Sequence, residues 1–250
     1  MAVALATLIM ILANTVVGVA LLRVAAKTRK APELLIGLGL LGMGPVSQLF
    51  SILAGVGRVP AGEVNLVLHW VSISGSSLGL SCIFLFVWRV FRPTEAWAAG
   101  LTLSAIAALI AVGITNAVSM ATAPADAPSS EATWLTGMMV LLLFTTAFGW
   151  AAIEAGLYYA RLRKQVVLGL VEPVVSNRFL LWSISTGAAA LLGLFLSAVH
   201  GRGEMLTMAL VPSLAICVVS LVTGTGMYLA FLPPRAYLSW VQSRAARSPV

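Results

Sequence analysis

Seven apolar runs, each long enough for a helix to cross a hydrocarbon core of roughly 30 Å, leave this chain few ways to fold. They fall near residues 2–22, 32–53, 65–86, 96–120, 134–159, 179–199 and 205–232. With 60% of its 250 residues hydrophobic and 9% charged, the chain has more apolar surface than one soluble core could hide, so the excess must face lipid. The expected fold is therefore an all-α integral membrane protein with seven transmembrane helices. Residues 1–233 form its single membrane domain and residues 234–250 a basic amphipathic tail. No positively charged stretch precedes the first apolar run, and no small-residue cleavage pattern precedes Arg23, so that run reads as a spanning helix.

Orientation follows from where the cations lie. With the first connection on the cytoplasmic side, Arg23, Lys27, Arg29, Lys30, Arg89, Arg92, Arg161, Arg163, Lys164, Arg178, Arg235, Arg244 and Arg247 all fall inside. Only Arg58 and Arg202 fall outside, a split of thirteen to two among the fifteen Lys and Arg residues. Basic loops resist translocation, so the split predicts an outer N-terminus, a cytoplasmic C-terminus and an odd number of spans. A cell membrane of the bacterial inner type is the expected location. The net charge of +7 is thereby assigned to topology, and no nucleic-acid partner is implied.

The first three runs and the last three share their punctuation. Arg58, Gly62 and Glu63 join runs two and three, while Arg202, Gly203 and Glu204 join runs six and seven. From Glu63 to Pro93 is thirty residues and from Glu204 to Pro233 is twenty-nine, and a tryptophan follows each proline, at Trp97 and Trp240. Two triplets separated by one linking helix would be parallel repeats, a three-plus-one-plus-three plan. The alternative is that short outer turns and basic inner loops recur in any seven-helix protein.

In topology, length and this echo, the chain resembles the broad group that includes the SWEET sugar transporters, the nicotinamide-riboside-type vitamin transporters and the microbial rhodopsins. The resemblance implies a seven-helix fold and extends to no residue motif. Residues 205–232 contain no lysine, so the retinal linkage of the rhodopsins has no attachment point, and the repeated mid-membrane tryptophan signature of the vitamin transporters is absent.

Ionisable groups inside a span are costly and so become functional candidates. Glu154 is the clear one, seven residues before Arg161 and about 10 Å from the inner boundary. It could take a cation, a proton or a ligand amine, with Trp150 and Tyr158 one turn away on the same face; alternatively, it pairs with Arg161 or Lys164. His69 and His200 have no ligand-type residue at metal spacing, and Cys82 and Cys217 lie in apolar runs, so no metal site, disulfide or cofactor is expected.

Gly75-x-x-x-Gly79 puts two small residues on one face of the third run, where a neighbouring helix can approach closely. Pro45 should kink the second run near Ser47 and Gln48. Broken helices are where transporters bind substrate, so Glu154, Trp150, Tyr158, Gln48, Asn14 and Asn116, with Pro45, form the candidate ligand cavity. Residues 165–175 and the tail, with Arg161, Arg163, Lys164, Arg178 and Trp240, suit the surface of an anionic inner leaflet or a cytoplasmic partner.

No nucleophile with a positioned base and no phosphate loop is apparent, so an enzyme is not expected. The favoured reading is a small carrier or channel-like protein for a neutral or weakly cationic small molecule. The alternative is a membrane sensor or signalling partner that reports through its cytoplasmic loops, working as a homo-oligomer or with a cytoplasmic partner.

Overall fold

A computed structural model describes residues 2–56, 63–122, 131–202 and 210–247, and every regular element in them is helical. Seven helical segments are long and apolar enough to cross a membrane. The first span is α1 (Ala2–Thr28); the second joins α2 (Ala31–Leu41) to α3 (Ser47–Val56) through a π-helical turn at Gly42–Val46. Then come α4 (Glu63–Phe91), α5 (Ala96–Thr122), α6 (Glu131–Val167), α7 (Pro173–Gly201) and α8 (Leu210–Phe231), with α9 (Arg235–Arg247) after the last span. Arg58, Gly62, Gly203, Glu204 and most of the linker at 122–130 lie outside the described residues.

Local chemistry sets the breaks at the arginine-rich end. α1 closes with Arg29 in the left-handed region (φ 53°), its N–H donating to the Ala25 carbonyl at 2.7 Å. Lys30 is extended and Pro32 lies in the first turn of α2, where a missing N–H costs nothing. The α6–α7 turn repeats the logic. Gly169 takes φ 70°, Leu170 N–H returns to the Gln165 carbonyl at 3.0 Å, and Pro173 restarts the helix after an extended Glu172.

Several helices outrun the sequence expectation, α1 to Thr28 and α4 to Phe91 among them, and two of the changes alter the reading of the arginine-rich end. α6 is 37 residues, about 55 Å, so its last turns run well past a 30 Å core and carry Arg161, Arg163 and Lys164 on helix and not on a loop. α7 begins six residues before the expected start at 179, so residues 165–175 are divided between two helix ends and a tight turn. Charged flanks can continue a helix into water, and hydropathy alone does not register that.

The second span carries a wider π turn where Pro45 removes one backbone donor and its ring crowds the preceding turn. The turn is packed, not frayed: Gly42 and Gly44 are buried.

α1, the α2–α3 span, α4, α6, α7 and α8 pack in sequence, and α8 closes back on α1, so six spans form a ring. Among the described residues, α5 packs against α4 and α6 and sits outside it. Leu103, Ile110, Ile114 and Val118 on α5 are exposed, as are Leu191 and Leu194 on α7 and Val211 and Val218 on α8, giving the outer face its apolar surface. The core runs inside the ring, from Val17, Leu21 and Leu40 through Leu80, Ile83 and Phe84 to Trp150, Trp182 and Met227.

Candidate functional site

At the centre of the ring lies a cavity of about 200 Å³ to which all six ring spans contribute. Asn14 comes from α1, Met43 and Gln48 from either side of Pro45, Ser76 from α4, Phe144 and Phe148 from α6, Ser185 from α7, and Ser220 and Thr223 from α8. Asn14 is nine residues before Arg23 and Ser220 thirteen before Pro233, which puts the cavity about 14–20 Å in from the arginine-rich end. α5 contributes nothing to its lining.

Several of its polar groups are already engaged. Ser76 and Ser47 share a hydrogen bond at 2.5 Å, Ser72 Oγ donates to the Ser47 carbonyl at 2.8 Å, and Thr223 Oγ1 donates to the Val219 carbonyl at 2.8 Å. Ser220 Oγ reaches Met10 Sδ at 3.7 Å, a weak contact. These bonds tie the α3 end of the second span to α4 and close α8 on α1.

Three groups are not engaged. The amides of Asn14 and Gln48 have no hydrogen-bond partner among the described residues, and the Ser185 hydroxyl is 0% exposed and unpartnered. Missing side chains make room for two of them. A Cβ on Gly44, in the π turn, would lie 2.5 Å from Asn14 Cβ, and a Cβ on Gly226 would collide with Ser185 Oγ. The glycines of the π turn and of α8 therefore let these groups sit within reach of one volume. Ser185 is buried and the two amides are half-buried; an unpaired buried polar group costs about 1–3 kcal/mol, so the cavity is a place for water or for a solute that bonds these groups.

The cavity lining contains no ionisable side chain. Two amides and a hydroxyl donate and accept, and the walls of methionine, leucine and phenylalanine are apolar. Such a lining suits a small uncharged molecule with both hydrogen-bonding and apolar faces. Its volume is below the roughly 300–1,000 Å³ typical of drug-sized ligands.

Of the sequence-derived set, Asn14 and Gln48 meet here with Pro45 beside them, and the other four lie elsewhere. Glu154 is 7% exposed and belongs to a separate cluster: Arg92 Nε donates to its Oε1 at 2.8 Å, and Trp150 Nε1 to the same oxygen at 3.3 Å. Its partner is therefore Arg92, from the connection between α4 and α5, and neither Arg161 nor Lys164. The hydrogen bond to Glu154 and then its negative charge raise the Arg92 pKa above its ordinary value, outweighing burial. Tyr158 packs its ring against Phe179 at 4.7 Å and Phe91 at 5.9 Å. Asn116 accepts from Thr136 Oγ1 at 2.9 Å, linking α5 to α6 near the opposite end. There, His200 stacks on Trp134 at 5.8 Å, and Trp134 Nε1 donates to the His200 carbonyl at 3.1 Å.

Gly75 and Gly79 lie against the second span: a Cβ on Gly79 would come within 2.8 Å of Met43 N, and one on Gly75 within 2.7 Å of a Val46 methyl. Arg161, Arg163, Lys164 and Arg178 are exposed at the arginine-rich end. α9 packs on α7, where Asn177 Nδ2 donates to Tyr237 Oη at 2.6 Å, and Trp240 stacks on Tyr237 at 5.8 Å. Ser185, Ser220 and Thr223 were missed. The signal for Ser185 was its pairing with Gly226 across two helices, which spacing along one helix cannot reveal.

Fold and site define a polytopic α-helical membrane protein with a central, largely apolar cavity that carries a few neutral polar groups. No family model, curated protein or solved structure matches the chain.

Proposed function

We propose that this protein is a small membrane carrier for an uncharged, hydrogen-bonding solute held in the six-helix cavity. The observation that carries the reading is the convergence of three unpartnered neutral groups, Asn14, Gln48 and Ser185, on one volume within the six-helix ring lined without charge. Of the neutral and weakly cationic solutes expected from sequence, the neutral class is favoured, because Glu154 already neutralises Arg92 outside the cavity. The π turn at Gly42–Val46 supports transport further, since broken spans at a binding site are the elements that rearrange in carriers. We take the N-terminus to be outside and the C-terminus cytoplasmic, on the thirteen-to-two distribution of Lys and Arg. The three-plus-one-plus-three plan is carried with it, on the ring's neighbour pattern, in which α1, the second span and α4 follow the same order as α6, α7 and α8.

The test is a thermal-shift screen of purified protein against polyols, small amides and monosaccharides, repeated with Asn14→Leu. A ligand bound only by the folded state raises its apparent stability. A neutral solute that stabilises the native chain and not the variant supports the reading; stabilisation only by cations would overturn it.

A sensor is the second reading, favoured by the projecting end of α6 with exposed Arg161, Arg163 and Lys164. In that case neutralising these three leaves solute binding intact and abolishes co-purification of a cytoplasmic partner.

A further inference from the structure

A second cavity, of about 280 Å³, opens at the arginine-rich end between the first turns of α2 and α7, with walls from α4 and α8. It is lined by both signs of charge. Glu33 stands in the first turn of α2 and Arg178 in the second turn of α7, both bordering the same space. They do not meet, since Arg92–Glu154 is the one ion pair among the described residues. Glu33 Oε2 is buried with no hydrogen-bond partner, and Arg178 has no partner among the described residues either. Aromatic rings share the lining: Trp182 packs on Phe86 at 5.4 Å, and Phe86 and Phe179 both pack edge-on to Phe91 at 6.0 and 6.2 Å. Trp182 is 5% exposed and its Nε1 is also unpartnered.

Opposite charges that border one pocket without pairing, Glu33 with a buried unpartnered oxygen and Arg178 with an exposed guanidinium, suit a ligand carrying the complementary pair. The acceptor at Glu33 needs an N–H donor, which a quaternary ammonium lacks and a primary ammonium has. Aromatic faces add a cation–π contribution on that side. Arg178 offers a planar fork of donors to an anionic oxygen group. We propose that this cavity binds a zwitterion with a primary ammonium against Glu33 and the aromatic rings and a phosphate or carboxylate against Arg178. Both residues lie within two turns of the helix starts at the arginine-rich end, and an ethanolamine phosphate headgroup has this chemistry. A free amino acid or free phosphoethanolamine shares it. The site is separate from the central cavity and stands whether or not that cavity carries a solute.

Native mass spectrometry and thermal shift of the full chain distinguish the sources, using phosphatidylethanolamine, phosphatidylcholine and phosphatidylglycerol in parallel with free phosphoethanolamine and glycine. The expected result is selective stabilisation by phosphatidylethanolamine over the other two lipids. Glu33→Gln should weaken it about tenfold or more, the loss of one charge-assisted hydrogen bond. Stabilisation by the free zwitterions alone, lost in the same variant, upholds the site and names a soluble ligand. Arg178→Gln serves as the second variant and should weaken every zwitterion while leaving the lipid-free melting temperature unchanged. Equal response to all three lipids with no effect of the free zwitterions, or binding indifferent to Glu33→Gln, would overturn the proposal.

Discussion

At the residue scale, the cost of leaving polar groups unpaired separates structural side chains from functional ones. Ser185 is completely buried with a free hydroxyl, against the ordinary habit of proteins to bond nearly every such group. Ser185→Ala should raise the stability of the solute-free protein by about 1 kcal/mol and weaken solute-dependent stabilisation, measured together by thermal unfolding in detergent. Loss of basal stability would mean that the hydroxyl is satisfied within the fold. Glu154 is the opposite case, a buried carboxylate with both donors in place. Arg92→Gln and Glu154→Gln should each destabilise the protein, and the double variant should lose less than their sum, because each removes the same interaction. Additive losses would show the pair to be uncoupled. The sequence marks Glu154 as exceptional, since a charge in an apolar run is visible in one dimension. It does not name Arg92, which is 62 residues away and reaches the carboxylate only after α4 and α6 have packed.

At the element scale, the spans themselves are legible because lipid requires long apolar runs, and an irregularity in the second is legible because Pro45 cannot donate a backbone hydrogen bond. That the irregularity is a π turn, and that α6 extends to 37 residues, depends on neighbours and on charged flanks. Glycines show the same division. Gly42 and Gly79 let the second span and α4 touch backbone to backbone: a Cβ on Gly42 would lie 2.7 Å from the Gly75 carbonyl oxygen. Gly100 and Gly113 on α5 have nothing within 4 Å of an added Cβ. Gly42→Val should therefore cost about 1–3 kcal/mol by overpacking. Gly100→Ala and Gly113→Ala should be neutral or stabilise by up to about 1 kcal/mol, since alanine restricts the unfolded chain. Unfolding of the three variants in one detergent checks the ordering; equal effects would mean that the close approach of the two spans contributes little.

At the scale of the whole molecule, six spans close a ring around neutral polar groups and a seventh stands outside. Asn14 and Gln48 could be listed from sequence as polar residues in apolar runs, but so could Asn116, which bonds Thr136 at the far end of α6. Only the ring order decides which polar residues share a volume, and that order is a property of the packed helices together. The composite cavity gives the carrier reading its content: a neutral solute should cross through the centre, and the Arg92–Glu154 pair should serve assembly and not selectivity. The measurement that bears on this most directly is osmotic swelling of proteoliposomes, followed by light scattering with glycerol, urea, acetamide and ribose as permeants. The expected result is faster entry of at least one of them than into protein-free vesicles, reduced by Asn14→Leu with Gln48→Leu and retained in Glu154→Gln protein that still folds. Entry no faster than into empty vesicles for every neutral permeant, or entry unaffected by the paired amide substitutions, would contradict a solute path through the six-helix cavity.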